Sequence, residues 1–304
     1  MSPSERPGRP VIFGEVLFDC FEDGSRVLGG APFNVAWHLR GFGLDPLLVT
    51  RVGEDGLGAE VRAAMARWGL DAAGLQADPE RPTGTVQVRL DARGQPAFEI
   101  VADVAWDRIA AEAAVAAARA AGPALLYHGT LAARSPGSAA ALAALRGLGA
   151  PAFVDVNLRP PWWTAEGVRK LLAGARWAKL NDAELATLAG GTDGGTEAAE
   201  ALRARHGLAA VILTRGERGA AVVHAGGVEE AAPEPVRDLA DTVGAGDAFA
   251  AVAILGLLRG WGWAEIVARA VAFAADICRV RGAVTEDRTL YARWLARWGE
   301  ITPA

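Results

Sequence analysis

Along the chain, short apolar runs alternate with longer stretches in which apolar residues recur every three or four positions. The first run, Val11-Ile12-Phe13, continues through Gly14-Glu15-Val16-Leu17-Phe18-Asp19 and predicts one strand over 11–19 that ends on a polar residue. A turn at Asp23-Gly24 and the pair Gly29-Gly30 lead into Val35-Ala36-Trp37-His38-Leu39, whose spacing is helical and which stops at Gly41 and Gly43. A short buried strand is expected over 47–50, and a helix over 57–68 closed by Gly69. Residues 85–90 alternate apolar and polar side chains, turn at 91–94 and resume at 97–100. That period of two predicts a hairpin covered on one face, a candidate for a small separate sheet.

Beyond the hairpin, strands and helices alternate. Strands are expected over 124–128, 152–156, 177–180 and 210–213, separated by helices over 108–120, 138–148, 165–172, 182–188 and 197–206. Residues 219–224 should pair beside the last strand, and helices over 246–258, 264–278 and 290–298 close the chain. Continuously apolar strands separated by helices imply a mostly parallel sheet with helices on both faces, a three-layer α/β/α arrangement. Ligands bind such sheets outside the carboxyl ends of the strands. With 304 residues, no internal repeat and no low-complexity linker, the expectation is a single domain over 1–304.

Composition narrows the function. Hydrophobic residues make up 51% and charged residues 22%, which describes a folded globular chain. A net charge of -5 with scattered basic residues argues against nucleic acid as the main partner. Apolar runs are broken well short of membrane-spanning length, so no membrane partner is expected. The polar, proline-rich residues 1–10 lack an export core, and the only cysteines, Cys20 and Cys278, lie far apart. Both points lead to a cytoplasmic protein with two free thiols. The histidines His38, His128, His206 and His224 are dispersed and form no metal-ligand spacing.

Several familiar sites lack their parts. The chain has no G-x-x-x-x-G-K-[ST], no G-x-G-x-x-G after the first strand, no G-x-S-x-G and no H-E-x-x-H. What remains is a set of polar clusters at expected strand ends. In Asp241-Thr242-Val243-Gly244-Ala245-Gly246-Asp247 the glycines open a long apolar helix, so unpaired N–H groups and the helix dipole make an anion site. Asp247 there is either a first-turn acid or a group with chemistry to do. Asp19, Gly29, Gly30 and Asn34 combine close backbone approach with acceptors and donors for hydroxyls; a turn with a capping asparagine is the plain alternative. Asp155-Val156-Asn157-Leu158-Arg159 ends a strand, and Arg159 suits a phosphate brace or a surface ion pair. Asn181-Asp182-Ala183-Glu184 reads as a capping box. Thr214-Arg215-Gly216-Glu217-Arg218-Gly219 joins two strands as a turn.

Taken together, these motifs resemble the ribokinase-like (PfkB) carbohydrate kinases over essentially residues 11–283. Gly29-Gly30-Ala31-Pro32-Phe33-Asn34-Val35-Ala36 is similar to that family's N-terminal glycine motif, and the 241–247 run to its C-terminal one. Gly14–Asp19 and Asp103-Val104-Ala105-Trp106-Asp107 resemble the bacterial fructokinases most. The resemblance implies a ribokinase-like fold with a small β-sheet lid, formed by about 15–30 and 83–102, which often carries a homodimer contact. It implies transfer of phosphate from ATP to a sugar hydroxyl. Asp247 would be the base; Gly244, Ala245 and Gly246 would form the anion hole, and Asp19, Gly29, Gly30 and Asn34 would hold the sugar. Asn181, Thr214, Gly216, Gly219 and Arg159 would serve the nucleotide. Glu184 would place Mg²⁺ through water, and Asp241, Val243 and Gly282 match positions for a monovalent cation, K⁺. The phosphate site is expected to work through helix amides without a lysine.

Two departures stand out. Val271 occupies a position where relatives often have Asn near the adenine, and Phe33 replaces a smaller residue, with a narrower sugar pocket as the expectation. Fructose is the expected sugar. Rivals are 2-keto-3-deoxygluconate or another sugar or nucleoside, with Arg89 as the basic residue for a sugar acid, and a non-catalytic sugar-binding regulator.

Overall fold

The computed structural model describes residues 8–90, 96–191, 194–234 and 238–300. In chain order the first half comprises β1 (Arg9–Phe13), β2 (Leu17–Phe21), β3 (Arg26–Gly29), α1 (Ala31–Gly41), β4 (Leu47–Gly53), α2 (Gly56–Trp68), β5 (Leu75–Asp78), β6 (Gly84–Leu90), β7 (Pro96–Ile100), α3 (Ala111–Ala121), β8 (Pro123–His128) and α4 (Pro136–Arg146). The second half comprises β9 (Ala152–Asp155), α5 (Ala165–Leu172), β10 (Trp177–Asn181), α6 (Asp182–Ala189), α7 (Thr196–His206), β11 (Ala210–Thr214), β12 (Ala220–His224), β13 (Gly227–Ala231), α8 (Ala245–Arg259), α9 (Trp263–Ile277) and α10 (Arg288–Arg297).

Among the described residues, nine strands form the main sheet in the order β13-β12-β11-β10-β9-β8-β1-β4-β5. The run from β11 to β5 is parallel, and β12 and β13 add antiparallel at one edge. Successive side chains of a parallel strand enter opposite layers, so both must be apolar. On β1, Ile12 joins the layer of α1, α2, α8, α9 and α10, whereas Val11 and Phe13 join α3 and α4. On β11, Ile212 faces the first layer, and Val211 and Leu213 face α5, α6 and α7. Helix α8 packs against both α1 and α9, and it is buried continuously from Ala248 to Gly256. That explains an apolar run with no polar stripe.

The chain moves outward from β1 to β4 and β5, then returns to lay β8 on the other side of β1. Strand order reverses there, which opens a crevice at the carboxyl ends of β1 and β8. A second sheet, ordered β3-β2-β6-β7, stands at that end.

Three expectations about elements need correction. The single strand over 11–19 is two strands in two sheets. The chain breaks at Gly14, whose φ is 150° and where a Cβ would lie 2.4 Å from the ring of Pro32. Strands β3, β5 and β13 were not expected, because each lies at a sheet edge and is held mainly by backbone pairing, so none shows an apolar run. The helix expected over 108–120 starts later, since Ala105–Arg108 forms a 3₁₀ turn. The hairpin β6–β7 is antiparallel as expected, while its turn at 91–94 lies outside the described residues.

Candidate active site

The site is built from the amino end of α8. Its N-cap, Gly244, has φ 80°, a left-handed conformation, and a Cβ there would lie 2.5 Å from the Ala283 Cα. Only glycine fits. Ala245 begins the helix, and the Ala248 N–H bonds the Gly244 carbonyl at 2.8 Å. Among the described residues the N–H groups of Gly246 and Asp247 meet no acceptor, so the helix end offers two free donors to an anion.

Asp247 does not cap its own helix. Its Oδ2 accepts a 2.8 Å hydrogen bond from Asn34 Nδ2. Loss of water around its carboxyl pushes its pKa up to about 6, and nearby Asp155 adds to the rise; the Asn34 hydrogen bond, Lys179 and Arg159 pull it back. Asn34 is no cap either. Gly30 is the N-cap of α1, and Asn34 sits inside the helix, 4% exposed, with its Oδ1 unpaired. A Cβ on Gly29 would lie 3.9 Å from both Asn34 Oδ1 and Asp19 Oδ2, so these polar atoms converge around bare backbone. Gly30, at φ 109°, leaves room for the Glu15 carbonyl, which a Cβ would meet at 2.7 Å. Such a cluster of donors and acceptors suits a polyhydroxy ligand.

Two further charged residues act on this cluster. Glu15 is 3% exposed and its Oε2 has no partner. Burial raises its pKa to about 7, a backbone N–H lowers it, and Asp247 raises it further. Arg159, exposed, donates to its neighbour Leu158 O at 3.2 Å and makes no ion pair among the described residues. Its charge nevertheless lowers the pKa of Glu15, Asp19 and Asp247. For Asp19 burial is the larger influence, and its pKa is raised.

Beneath α8 lies a buried ion pair. Asp155 and Lys179 stand opposite each other in neighbouring strands β9 and β10, and Lys179 Nζ donates to both Asp155 oxygens at 2.9 Å. The Tyr127 hydroxyl donates to Asp155 Oδ2 at 3.2 Å. A Cβ on Gly246 would sit 3.5 Å from Lys179 Nζ. The sequence reading expected helix amides acting without a lysine; the sheet carries Lys179 to the helix end.

Alongside, Asn181 of β10 stands in register with Thr214 of β11. Asn181 Oδ1 accepts from the Glu184 N–H at 2.8 Å, and Glu184 Oε2 accepts from the Asn181 N–H at 2.9 Å, the capping box the sequence predicts. Glu184 Oε1 takes the Leu158 N–H at 2.8 Å. Each carboxylate oxygen keeps a lone pair, which fits an Mg²⁺ held through water better than a direct ligand. Gly216 and Gly219 have φ 55° and 80°, and a Cβ on Gly219 would run into the Ala231 carbonyl. Across the site, Asp241 accepts from the Val243 and Gly282 N–H groups at 3.0 and 3.2 Å. The carbonyls of these three residues accept no hydrogen bond among the described residues, a donor set that fits a monovalent cation.

The structure also places the three other residues weighed from the sequence, Phe33, Val271 and Arg89. The Phe33 ring is fully buried, 5.5 Å from Trp37 between centroids, so it fills the core and does not narrow the pocket. Val271 is buried in the apolar layer of α9. Arg89 lies on the face of the small sheet opposite Asp19: Val86 pairs with Asp19, and a residue three positions along points the opposite way. Glu15 and Lys179 were missed as site residues. Their signal was a charged residue inside or next to an apolar strand, which counts only once a facing partner is known.

A family model described as pfkB family carbohydrate kinase matches residues 20–289. The chain is 30% identical to a fructokinase of Klebsiella pneumoniae over 262 residues, 82% of this chain and 84% of the relative. To a fructokinase of Escherichia coli it is 29% identical over 257 residues, 81% of this chain and 83% of the relative. Its fold is similar to the aminoimidazole riboside kinase of Salmonella enterica solved with aminoimidazole riboside and an ATP analogue, with TM-score 0.79 and 22% identity over 94% of this chain and 99% of that one. It is similar also to the Vibrio cholerae O395 fructokinase in its fructose, ADP and calcium ion bound form, with TM-score 0.78 and 24% identity over 94% of this chain and 98% of that one. With a match spanning most of its length, and with an acid hydrogen-bonded to Asn34 beside a free helix amino end, the chain belongs to the pfkB family of carbohydrate kinases and is a sugar phosphotransferase.

Proposed function

We propose that the protein transfers the γ-phosphoryl group of ATP to a terminal hydroxyl of a small sugar, and that the sugar is fructose. The observation that carries this reading is Asp247, held by Asn34 at 2.8 Å beside the two free N–H groups of α8. Asp19, Asn34 and the Gly29-Gly30 backbone hold the sugar. Asp247 takes the proton of the attacking hydroxyl, the sugar oxygen bonds to the γ-phosphorus, and the bond to the bridging oxygen of ADP breaks. The N–H groups of Gly246 and Asp247 stabilise the transferring group. Asn181, Thr214, Gly216 and Gly219 serve the nucleotide, and Glu184 orients Mg²⁺ through water. Asp241, Val243 and Gly282 would offer carbonyls to K⁺, whose positive charge would favour an anion at the nearby helix end. The two cysteines are unpaired, which supports a reducing compartment, the cytoplasm.

One observation favours a second reading. Arg159, without an ion-pair partner among the described residues and felt by Asp19 and Asp247, suits the carboxylate of a sugar acid such as 2-keto-3-deoxygluconate. A panel of neutral sugars, sugar acids and nucleosides, read by ADP release, separates the two. Fructose should give the highest kcat/KM. A sugar acid that exceeds it tenfold moves the assignment to the second reading, and no turnover with any acceptor ends both.

A further inference from the structure

Three carboxylates, Asp155, Glu184 and Asp247, gather where a triphosphate must dock, a placement that by itself repels the ligand. A single buried cation stands among them. The Lys179 side chain is 7% exposed, with two of its three protons on the Asp155 oxygens at 2.9 Å and its Nζ 3.5 Å from where a Gly246 Cβ would be. Among the described residues Asp155 is its only hydrogen-bond partner. Glycine at 246 thus leaves open the space between the ammonium and the free amides of α8.

We propose that Lys179 is the charge anchor of the phosphoryl site: clamped by Asp155 under Gly246, it offsets the surrounding acids, keeps Asp247 ionised and makes the helix end attractive to ATP. Its role is positioning and electrostatic, exerted through Asp247 and the α8 amides. The charged groups around it come from every neighbouring element: Asp155 from β9, Glu184 from α6 and Asp247 from α8, with Tyr127 of β8 bonded to Asp155. Asp247 is also faced by Glu15, itself under the influence of Arg134, and by Arg159. Counting Asp155, Glu184, Asp247 and Lys179, the group carries two net negative charges; loss of Lys179 makes it three, and loss of Asp155 makes it one.

That arithmetic gives a test with opposite signs. The inference rests on the kinase reading above, so its first readout needs no turnover: the pH titration of the Asp247 carboxyl carbon by NMR in the free protein. Lys179→Met should move that titration up by about one pH unit or more, and Asp155→Asn should move it down. ATP affinity by calorimetry, without sugar, should fall at least tenfold in Lys179→Met and recover to within threefold in the Lys179→Met/Asp155→Asn double variant. If Lys179→Met proves unfolded, Lys179→Gln, which removes the charge and keeps a donor toward Asp155, is read in its place, and an unmoved Asp247 titration with unchanged ATP affinity in that variant overturns the proposal. A pair that merely braces β9 against β10 would lower the melting temperature and leave both the titration and ATP affinity in place; that result overturns the proposal. A wild-type protein that binds ATP and phosphorylates no sugar defeats the assigned substrate alone, since the Lys179 readouts stand without it.

Discussion

Asp247 carries two burdens that pull in different directions. In the proposed role of base it must be ionised, yet its partly buried place raises its pKa to about 6, with nearby Asp155 adding to the rise. Catalysis needs the deprotonated form, so kcat/KM should rise with pH, reach half its plateau near pH 6 and flatten above 7, as a pH–rate profile will show. Asp247→Asn keeps the shape and the Asn34 contact but removes the base, so turnover should drop ~10²–10⁴-fold while the calorimetric affinity for ATP changes little. Near-normal turnover would falsify the assigned role. Glu15 tests burial itself. Its pKa is raised by burial to about 7, so the folded state gains stability from it only at low pH and loses that gain as pH rises through 7. Glu15→Gln should therefore stabilise the protein at pH 8, by up to ~3 kcal/mol, with most of the difference gone by pH 5. Denaturant unfolding at the two pH values measures it.

At the scale of elements, helix ends do most of the positioning. The α8 end exists because Gly244 takes a left-handed turn under Ala283. Gly244→Ala must accept that conformation, costing roughly 1–2 kcal/mol, and also push the 282–284 segment away. A lower melting temperature and a clear loss of kcat are expected together, because the free N–H groups and Asp247 shift as one unit. The α6 end shows the other case. Its capping box is complete, so a purely local reading of Asn181 and Glu184 is correct and still leaves both facing the site. Helices that run beneath apolar strands were legible from spacing; edge strands β3, β5 and β13 were not, because backbone pairing leaves no apolar signature.

For the whole molecule, the small sheet presents an apolar face that the described residues leave exposed. Register places Val27, Val86 and Asp19 on one face, and Phe21, Val88 and Phe98 lie on that same face. Of these, Phe21 is 40%, Val27 43% and Phe98 63% exposed, an apolar surface that shares its face with Asp19, a proposed sugar contact. A second copy of the chain placing the same face across it would bury both surfaces and shield the site from water. Light scattering of the wild type should give a dimer. Phe98→Asp should give a monomer whose sugar KM is raised at least fivefold; a wild-type monomer with ordinary turnover rejects the pairing.

The sequence by itself determined the layered α/β class and the location of the glycine turns, because strand and helix periods and the need for bare backbone are local properties. It also marked Asp247, Asn34, Asn181 and Glu184 as residues with work to do. Only the tertiary structure decided which acids share a field. Asn34 and Asp247 are 213 positions apart and meet at 2.8 Å; Asp155 and Lys179 meet through the register of two strands. Burial then turned Glu15 from a polar residue at a strand end into an acid with one unpartnered oxygen among the described residues and placed Lys179 beside Gly246 at the amino end of α8. Electrostatics acts through space and falls with distance and solvent, so no spacing along the chain encodes it.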